Sequence, residues 1–103
     1  VELDGEAIPD AEANVQRNGV ADRVHVFEAD AAAILPLVAP VRLVLANIIS
    51  SVLIELLPII GLSLTDDGSA ILSGILYEER ETMLQVLAAH GWTVLAEDAE
   101  DIW

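Results

Sequence analysis

A run of nearly continuous apolar residues, positions 43–49, constrains the fold of this chain more than any other feature. Apolar residues at consecutive positions suit a strand that is buried on both faces, as in the parallel sheets of α/β proteins. Asn47 lies near the end of the run, at the edge where ligands of open α/β sheets bind. Asn47 is therefore the first candidate functional residue. Alternatively it caps the next helix, as Ser50 or Ser51 could, and position alone does not separate the two interpretations.

Length and composition favour a soluble, cytoplasmic α/β protein. The 103 residues suffice for one domain at most. The chain is 54% apolar, but Asn47, Glu55 and Asp66 keep its most apolar region well short of the roughly 18 unbroken residues of a membrane span. The chain has no cysteine and does not start with a basic segment followed by an apolar core, so nothing indicates secretion.

The net charge of −14, from 18 acidic and 4 basic residues, argues against direct nucleic-acid binding. Such a chain repels a phosphate backbone and has no basic stripe to neutralise one. An acidic surface does favour encounter with a basic protein. General solubility explains the same charge without any partner.

Helical and strand-like patterns alternate along the chain. Helix signals at residues 6–18 include Asp4 as a cap, Arg17 in the last turn and Gly19 beyond it. Strands are predicted at 1–4, 23–28, 41–48, 69–75 and 92–97, with the start of another near Trp103. Further helices are predicted at 51–64, kinked or divided by Pro58, and at 78–90, with a turn at 65–68. This order predicts a mainly parallel sheet with helices on both faces, a Rossmann-like architecture.

Several familiar sites are missing from the pattern. The six glycines are never closely clustered, so the G-x-G-x-x-G loop of dinucleotide-binding folds is absent. His25 and His90 have no paired ligands nearby in sequence, and the carboxylates are scattered, so no metal site is predicted.

Four short blocks, taken in order, resemble the catalytic domain of class I S-adenosylmethionine methyltransferases. The closest resemblance is to the PrmA type, which methylates ribosomal protein L-eleven. It covers essentially the whole chain and implies a Rossmann-like class I methyltransferase fold. The blocks are Val-Glu-Leu-Asp at 1–4, Ala-Glu-Ala-Asn at 11–14 with Arg-Asn-Gly-Val at 17–20, Leu-Ala-Asn-Ile at 45–48, and Leu-Ser-Gly-Ile-Leu at 72–76.

The resemblance also implies that residues 1–103 are a partial S-adenosylmethionine-binding domain. Members of this family begin the domain with a strand and a glycine-rich loop that holds the methionine part of the cofactor, and this chain starts after them. They also carry an amino-terminal domain that recognises the ribosomal protein. The expectation is therefore a fragment that is inactive alone and, through an unpaired strand edge, tends to self-associate.

By resemblance, the cofactor site includes Glu2, Leu3, Asp30 and Ala31. The Glu2 carboxylate would accept both ribose hydroxyls, and because Asp4 supplies the helix cap, Glu2 is expected to have no structural role. The Asp30 side chain and the following backbone amide of Ala31 would contact the adenine edge. A simple helix-capping role for Asp30 is equally open.

The resemblance gives Asn47 the catalytic role, with contacts to both cofactor and acceptor, and places Ile48 and Ile49 with it in the substrate site. Methyl transfer from a sulfonium to an amine is an in-line displacement that needs alignment more than acid–base help. The implied acceptors are amino groups of a ribosomal protein, either lysine side chains or the N-terminal amine.

Two other functions remain open. The first is a class I methyltransferase for a small molecule, a glutamine or a nucleic-acid base, although residues 47–50, Asn-Ile-Ile-Ser, lack the proline and aromatic residue that clamp a planar substrate. The second is a catalytically silent α/β interaction domain in which Glu2 and Asn47 have lost their ligand.

Overall fold

The computed structural model describes residues 1–99, and its chain divides into two compact units. Unit 1 comprises Val1–Val38 and unit 2 comprises Ala39–Trp103. The predicted start of a strand near Trp103 lies outside the described residues. Within residues 1–99, no helix combines the length and apolar character needed to cross a bilayer.

Unit 1 contains helices α1, Ile8–Arg17, and α2, Ala31–Val38. The predicted start of α1 at residue 6 is two residues too early. A carboxylate oxygen of Asp4 accepts the Glu6 amide at 2.9 Å and the Asp4 carbonyl accepts the Ala7 amide at 3.0 Å. Asp4 therefore stabilises a turn that leads into the helix, and does not cap the helix itself.

The two strand-like segments of unit 1 meet in a single parallel bridge between Glu2 and Glu28. The Glu2 amide donates to the Phe27 carbonyl at 2.9 Å, and the Ala29 amide donates to the Glu2 carbonyl at 2.9 Å. The strands predicted at 1–4 and 23–28 are thus reduced to one bridge. Their parallel direction agrees with the predicted sheet.

Unit 2 is built on a parallel pair of strands, β1, Val41–Asn47, and β2, Leu64–Ser73, connected by helix α3, Ser50–Ser63. Leu43 pairs with Ser69, and the register continues without interruption to Asn47 and Ser73. Before it, Val41 pairs with Leu64, so one residue of β1 lies opposite the four residues 65–68 of β2. The predicted turn at 65–68 is this irregularity, and β2 extends on both sides of it.

Helix α3 runs through Pro58, so of the two predicted effects of this proline, a kink or a division of the helix, the division does not occur. A proline inside a helix costs about 3 kcal/mol, whereas burial of one leucine or isoleucine contributes about 1.5 to 3 kcal/mol. Buried side chains on both sides of Pro58 outweigh that cost: Leu53, Leu56, Leu57 and Ile60.

A 3-10 turn, Tyr77–Glu79, leads into helix α4, Arg80–Ala89, whose Met83 and Leu87 complete the core of unit 2. Residues 92–99 form no strand, so the strand predicted at 92–97 is wrong. The Arg80 guanidinium instead holds this segment through Glu97, with Nε–Oε1 and Nη2–Oε2 distances of 2.9 and 3.1 Å. These hydrogen bonds and the charge of Glu97 raise the pKa of Arg80.

The two faces of the strand pair differ in burial, so the prediction that β1 is buried on both faces is wrong for the described residues. Ala46 is buried and Val44 is half-buried on one face. On the opposite face Leu43, Leu45 and Ile71 are 52%, 70% and 59% exposed. Since Leu45 and Ile71 are register partners, these side chains form one apolar patch.

Candidate functional site

The carboxyl edge of the strand pair lies in unit 2, where β1 and β2 end on two paired polar residues, Asn47 and Ser73. The backbone amide of Ile48 donates to the Ser73 carbonyl at 3.2 Å, so the pairing extends one residue beyond β1. The chain then turns at Ile49 and enters α3 at Ser50. Residues 47–49 are called the acceptor loop below.

The Asn47 side chain is exposed and lies against Gly74, the first residue after β2. A β-carbon added to Gly74 would lie 2.7 Å from Oδ1 of Asn47 and 3.1 Å from the Ile48 carbonyl oxygen. Gly74 also has a φ of +83°, in the left-handed region that favours glycine. Sequence reasoning included Gly74 in a family block but missed this contact. Its signal was a lone glycine inside the strand predicted at 69–75, which in the structure ends at Ser73.

The helix-cap interpretation of Asn47 is not supported. Helix α3 has Ile49 at its N-cap, and no side-chain hydrogen bond caps it. Ser50, the other candidate cap, donates its hydroxyl to a carboxylate oxygen of Glu79 at 3.0 Å. The Asn47 amide makes no hydrogen bond within residues 1–99, so both its oxygen and its NH₂ group can contact a ligand.

Glu79 is a residue of this edge that the sequence reasoning missed. It is half-buried at the end of the 3-10 turn, and its carboxylate accepts the Leu76 amide at 3.1 Å as well as the Ser50 hydroxyl. Glu79 lies three residues after the N-cap of the turn, as the glutamate of a capping box does, but the N-cap is Leu76 where the box has serine or threonine, so only half of that signal was available in the sequence. The hydrogen bond to Ser50, 29 residues away, could not be predicted from the sequence.

Glu2, in unit 1, is half-buried at the parallel bridge. Its Oε1 accepts the Asp4 amide at 3.0 Å, so the expectation that Glu2 has no structural role is wrong. The second carboxylate oxygen makes no hydrogen bond among the described residues and can still accept one. The neighbouring predicted residue, Leu3, is 70% exposed.

Asp30 begins α2 as a helix cap. Its Oδ1 accepts the Ala32 amide at 3.0 Å, and its carbonyl accepts the Ala33 and Ile34 amides at 2.9 and 3.2 Å. The capping alternative is thus confirmed. Ala31, the first residue of α2, is half-buried. Contact of Asp30 and Ala31 with a cofactor remains a prediction.

No group of histidine, cysteine and carboxylate side chains within residues 1–99 could hold a metal ion. His25 is exposed. Nδ1 of His90 lies 2.8 Å from the Val86 carbonyl oxygen at the end of α4, where a histidine interacts favourably with the helix C-terminus.

The profile of the family "Ribosomal protein L11 methyltransferase (PrmA)" matches residues 1–103. Ribosomal protein L11 methyltransferases of Desulfitobacterium hafniense and Thermus thermophilus are 34% and 35% identical over 103 residues. The matches cover 100% of this chain but only 32% and 39% of those relatives, so the chain spans about a third of their length.

Two solved structures share the fold of the chain. The ribosomal protein L11 methylase of Lactobacillus delbrueckii subsp. bulgaricus superposes with a TM-score of 0.86 at 25% identity, covering 99% of this chain and 51% of that one. A precorrin 8w decarboxylase of Methanobacterium thermoautotrophicum has a TM-score of 0.74 at 30% identity, covering 89% and 50%. The predicted Rossmann-like α/β fold is confirmed. Since the family profile matches every residue, the chain belongs to the ribosomal protein L11 methyltransferase (PrmA) family.

Proposed function

We propose that the protein containing this chain transfers methyl groups from S-adenosylmethionine to amino groups of a ribosomal protein, at lysine side chains or the N-terminal amine. The observation that carries the proposal is the exposed amide of Asn47, which takes no part in helix capping at the carboxyl edge of the parallel strands. Ligands of open α/β sheets bind at this edge. The family to which the chain belongs supplies the reaction class.

Residues 1–103 are proposed to be part of one cofactor-binding domain, with Glu2, Leu3, Asp30 and Ala31 contributing contacts from unit 1. The carboxylate of Glu2 fits a ribose diol because one oxygen makes no hydrogen bond within the described residues and the other accepts a single amide. At the start of α2, the Asp30 carboxylate is fixed by the Ala32 amide. When bound, S-adenosylmethionine supplies an electrophilic methyl group on a sulfonium.

The role proposed for the acceptor loop is alignment. The Asn47 amide oxygen and the Ile48 carbonyl both lie near Gly74, and both are acceptors suited to the N–H groups of an incoming neutral amine. Holding those N–H groups directs the nitrogen lone pair toward the methyl group, and well-oriented reactants account for much of the barrier reduction in such displacements. Ile49, 65% exposed, offers apolar contact to the stem of a lysine side chain.

The charge of the chain supports a basic acceptor. With 18 acidic and 4 basic residues, it attracts a basic polypeptide more strongly than a neutral metabolite. A cytoplasmic location is also proposed, because ribosomal proteins, the proposed substrates, are found in the cytoplasm. Methyl transfer to a small molecule is kept as the alternative, because a protein of similar fold, the precorrin 8w decarboxylase, is named for a small-molecule substrate.

The test uses the complete protein, including any residues that its gene encodes beyond these 103. It is incubated with S-adenosylmethionine and ribosomal protein L11, and the acceptor is then mapped by peptide mass spectrometry. Methyl groups on lysines or on the N-terminal amine would support the proposal. Saturable cofactor binding without methylation of the ribosomal protein would favour the small-molecule alternative. Absence of saturable cofactor binding would favour a catalytically silent domain.

A further inference from the structure

The Glu79 carboxylate connects the segments that follow the two strands. Its Oε1 accepts the Ser50 hydroxyl at 3.0 Å and the Leu76 amide at 3.1 Å. Ser50 comes directly after the acceptor loop, and Leu76 lies three residues beyond the end of β2. A single oxygen atom therefore links the segment that follows β1 to the segment that follows β2.

These bonds fix the acceptor loop at both of its ends. At its start, Ile48 is bonded to the Ser73 carbonyl at 3.2 Å, and at its end Ser50 is bonded to Glu79. The intervening Ile49 has an extended backbone, with φ −60° and ψ 147°, and an exposed side chain. The distal end is also held through α3, because the Ile49 carbonyl accepts the Leu53 amide at 3.0 Å, and the bond to Glu79 is the side-chain link between this end and the segment after β2.

The bond between Ser50 and Glu79 is shielded from water. Ser50 is 6% exposed, and Glu79 is half-buried. A buried hydroxyl that loses its partner must find another or move toward solvent, because leaving it unsatisfied is costly. Movement of Ser50 would carry the adjoining Ile49 and Ile48 with it.

We propose that Glu79 is a positioning residue that fixes the acceptor loop for methyl transfer, and this inference rests on the proposed function. Glu79 is not assigned contact with either reactant. It acts through its hydrogen bond with Ser50, which fixes the positions of the Asn47 amide and the Ile48 carbonyl. Both of its bonds end on an oxygen that only accepts, so the carboxylate charge is not required and a glutamine amide oxygen can replace it.

The experiment compares Glu79→Ala, Glu79→Gln and the control Glu78→Ala in the complete protein. The control substitution removes the same charge from the same 3-10 turn. The Glu78 side chain, however, is exposed and makes no hydrogen bond within residues 1–99. The expected result for Glu79→Ala is a fall in kcat of about 10- to 100-fold, the range for a displaced reactant, with little change in cofactor affinity. Glu79→Gln and Glu78→Ala should both stay close to the parent protein.

Amide hydrogen exchange provides a readout that does not depend on activity. Exchange at Ile48, whose amide donates to the Ser73 carbonyl, and at Leu76, whose amide donates to Glu79, should be faster in Glu79→Ala than in the parent protein, and near the parent rate in Glu79→Gln. If Glu79→Ala does not fold, Ser50→Ala removes the same distal bond and should show the same loss of kcat.

A kcat for Glu79→Ala equal to that of the parent would overturn the inference, as would a glutamine variant as impaired as the alanine variant. If the parent transfers no methyl groups, the proposed function fails by itself. Exchange at Ile48 then decides whether Glu79 fixes the loop, and an unchanged rate in Glu79→Ala would show that it does not.

Discussion

The substitution Gly74→Ala tests whether the residue that follows β2 fixes the position of the Asn47 side chain. Gly74 has a φ of +83°, and a left-handed conformation costs a residue with a β-carbon about 1 to 2 kcal/mol. The new methyl group also reduces the conformational freedom of the unfolded chain, which offsets about 0.4 to 1 kcal/mol of that loss of stability. The backbone effect alone should therefore destabilise the protein by about 1 kcal/mol.

The contacts of the new β-carbon add a second, local effect. At 2.7 Å, Oδ1 of Asn47 must move, and because it is the end of a side chain it can rotate away at little cost to stability. The carbonyl oxygen and the amide nitrogen of Ile48, at 3.1 and 3.3 Å, belong to the backbone and must yield by a few tenths of an ångström. The main consequence is a misplaced Asn47 amide, so kcat should fall by about 10- to 100-fold.

Gly91→Ala is the matched control. Gly91 has a φ of +80°, but a β-carbon there would meet nothing within 4 Å. Both variants should lose about 1 kcal/mol in chemical denaturation, and only Gly74→Ala should lose turnover in the methylation assay. In the background Asn47→Ala, Gly74→Ala should cause little further loss of kcat. Equal turnover of Gly74→Ala and Gly91→Ala would refute the reasoning, because the close approach would then have no effect on the site.

Three further predictions concern the other candidate residues. Asn47→Ala should depress kcat more than cofactor affinity, since an alignment contact acts mainly in the transition state, and unchanged turnover at saturating substrate would remove Asn47 from the site. Glu2→Ala should weaken cofactor binding by about 1.5 to 3 kcal/mol in calorimetry, as for hydrogen bonds to a charged group, whereas unchanged affinity would exclude it from the ribose contact. The 103-residue chain should self-associate in sedimentation through the exposed patch of Leu43, Leu45 and Ile71, and Leu45→Glu should shift it toward monomer. Identical sedimentation of parent and variant would mean that the patch is not involved.

The strands and helices of unit 2 could be predicted because their signals are local. The apolar run at 43–49 matches β1, and the helix patterns at 51–64 and 78–90 match α3 and α4 closely. The sequence left open whether Pro58 kinks or divides α3, because a local rule about proline does not include the burial of Leu53 and Ile60 on either side of it. The strand expected at 92–97 failed for a related reason. Alternation of residues cannot supply a partner strand, and Arg80 holds this segment through Glu97.

At the candidate site, sequence reasoning identified Asn47 from its place near the end of an apolar run. It could not separate a ligand contact from a helix cap, because that depends on which atom the side chain reaches. In the structure Ile49 is the N-cap of α3 and the Ser50 hydroxyl donates to Glu79, so Asn47 does not cap the helix. The roles of Gly74 and Glu79 depend on contacts between segments that are distant in sequence, so no single stretch of the chain revealed them.

The irregular pairing at the start of the two strands determines where the chain can change length. Residues 65–68 lie outside the ladder, with Asp66 and Asp67 exposed, whereas pairing from Leu43 and Ser69 to the end of β1 is continuous. Residues inserted between Asp66 and Asp67 increase only the size of this bulge, and doubling the length of a loop costs only about 0.6 kcal/mol. The register at the opposite edge, where Asn47 pairs with Ser73, does not change. A short peptide tag can therefore be introduced between Asp66 and Asp67 without shifting Asn47.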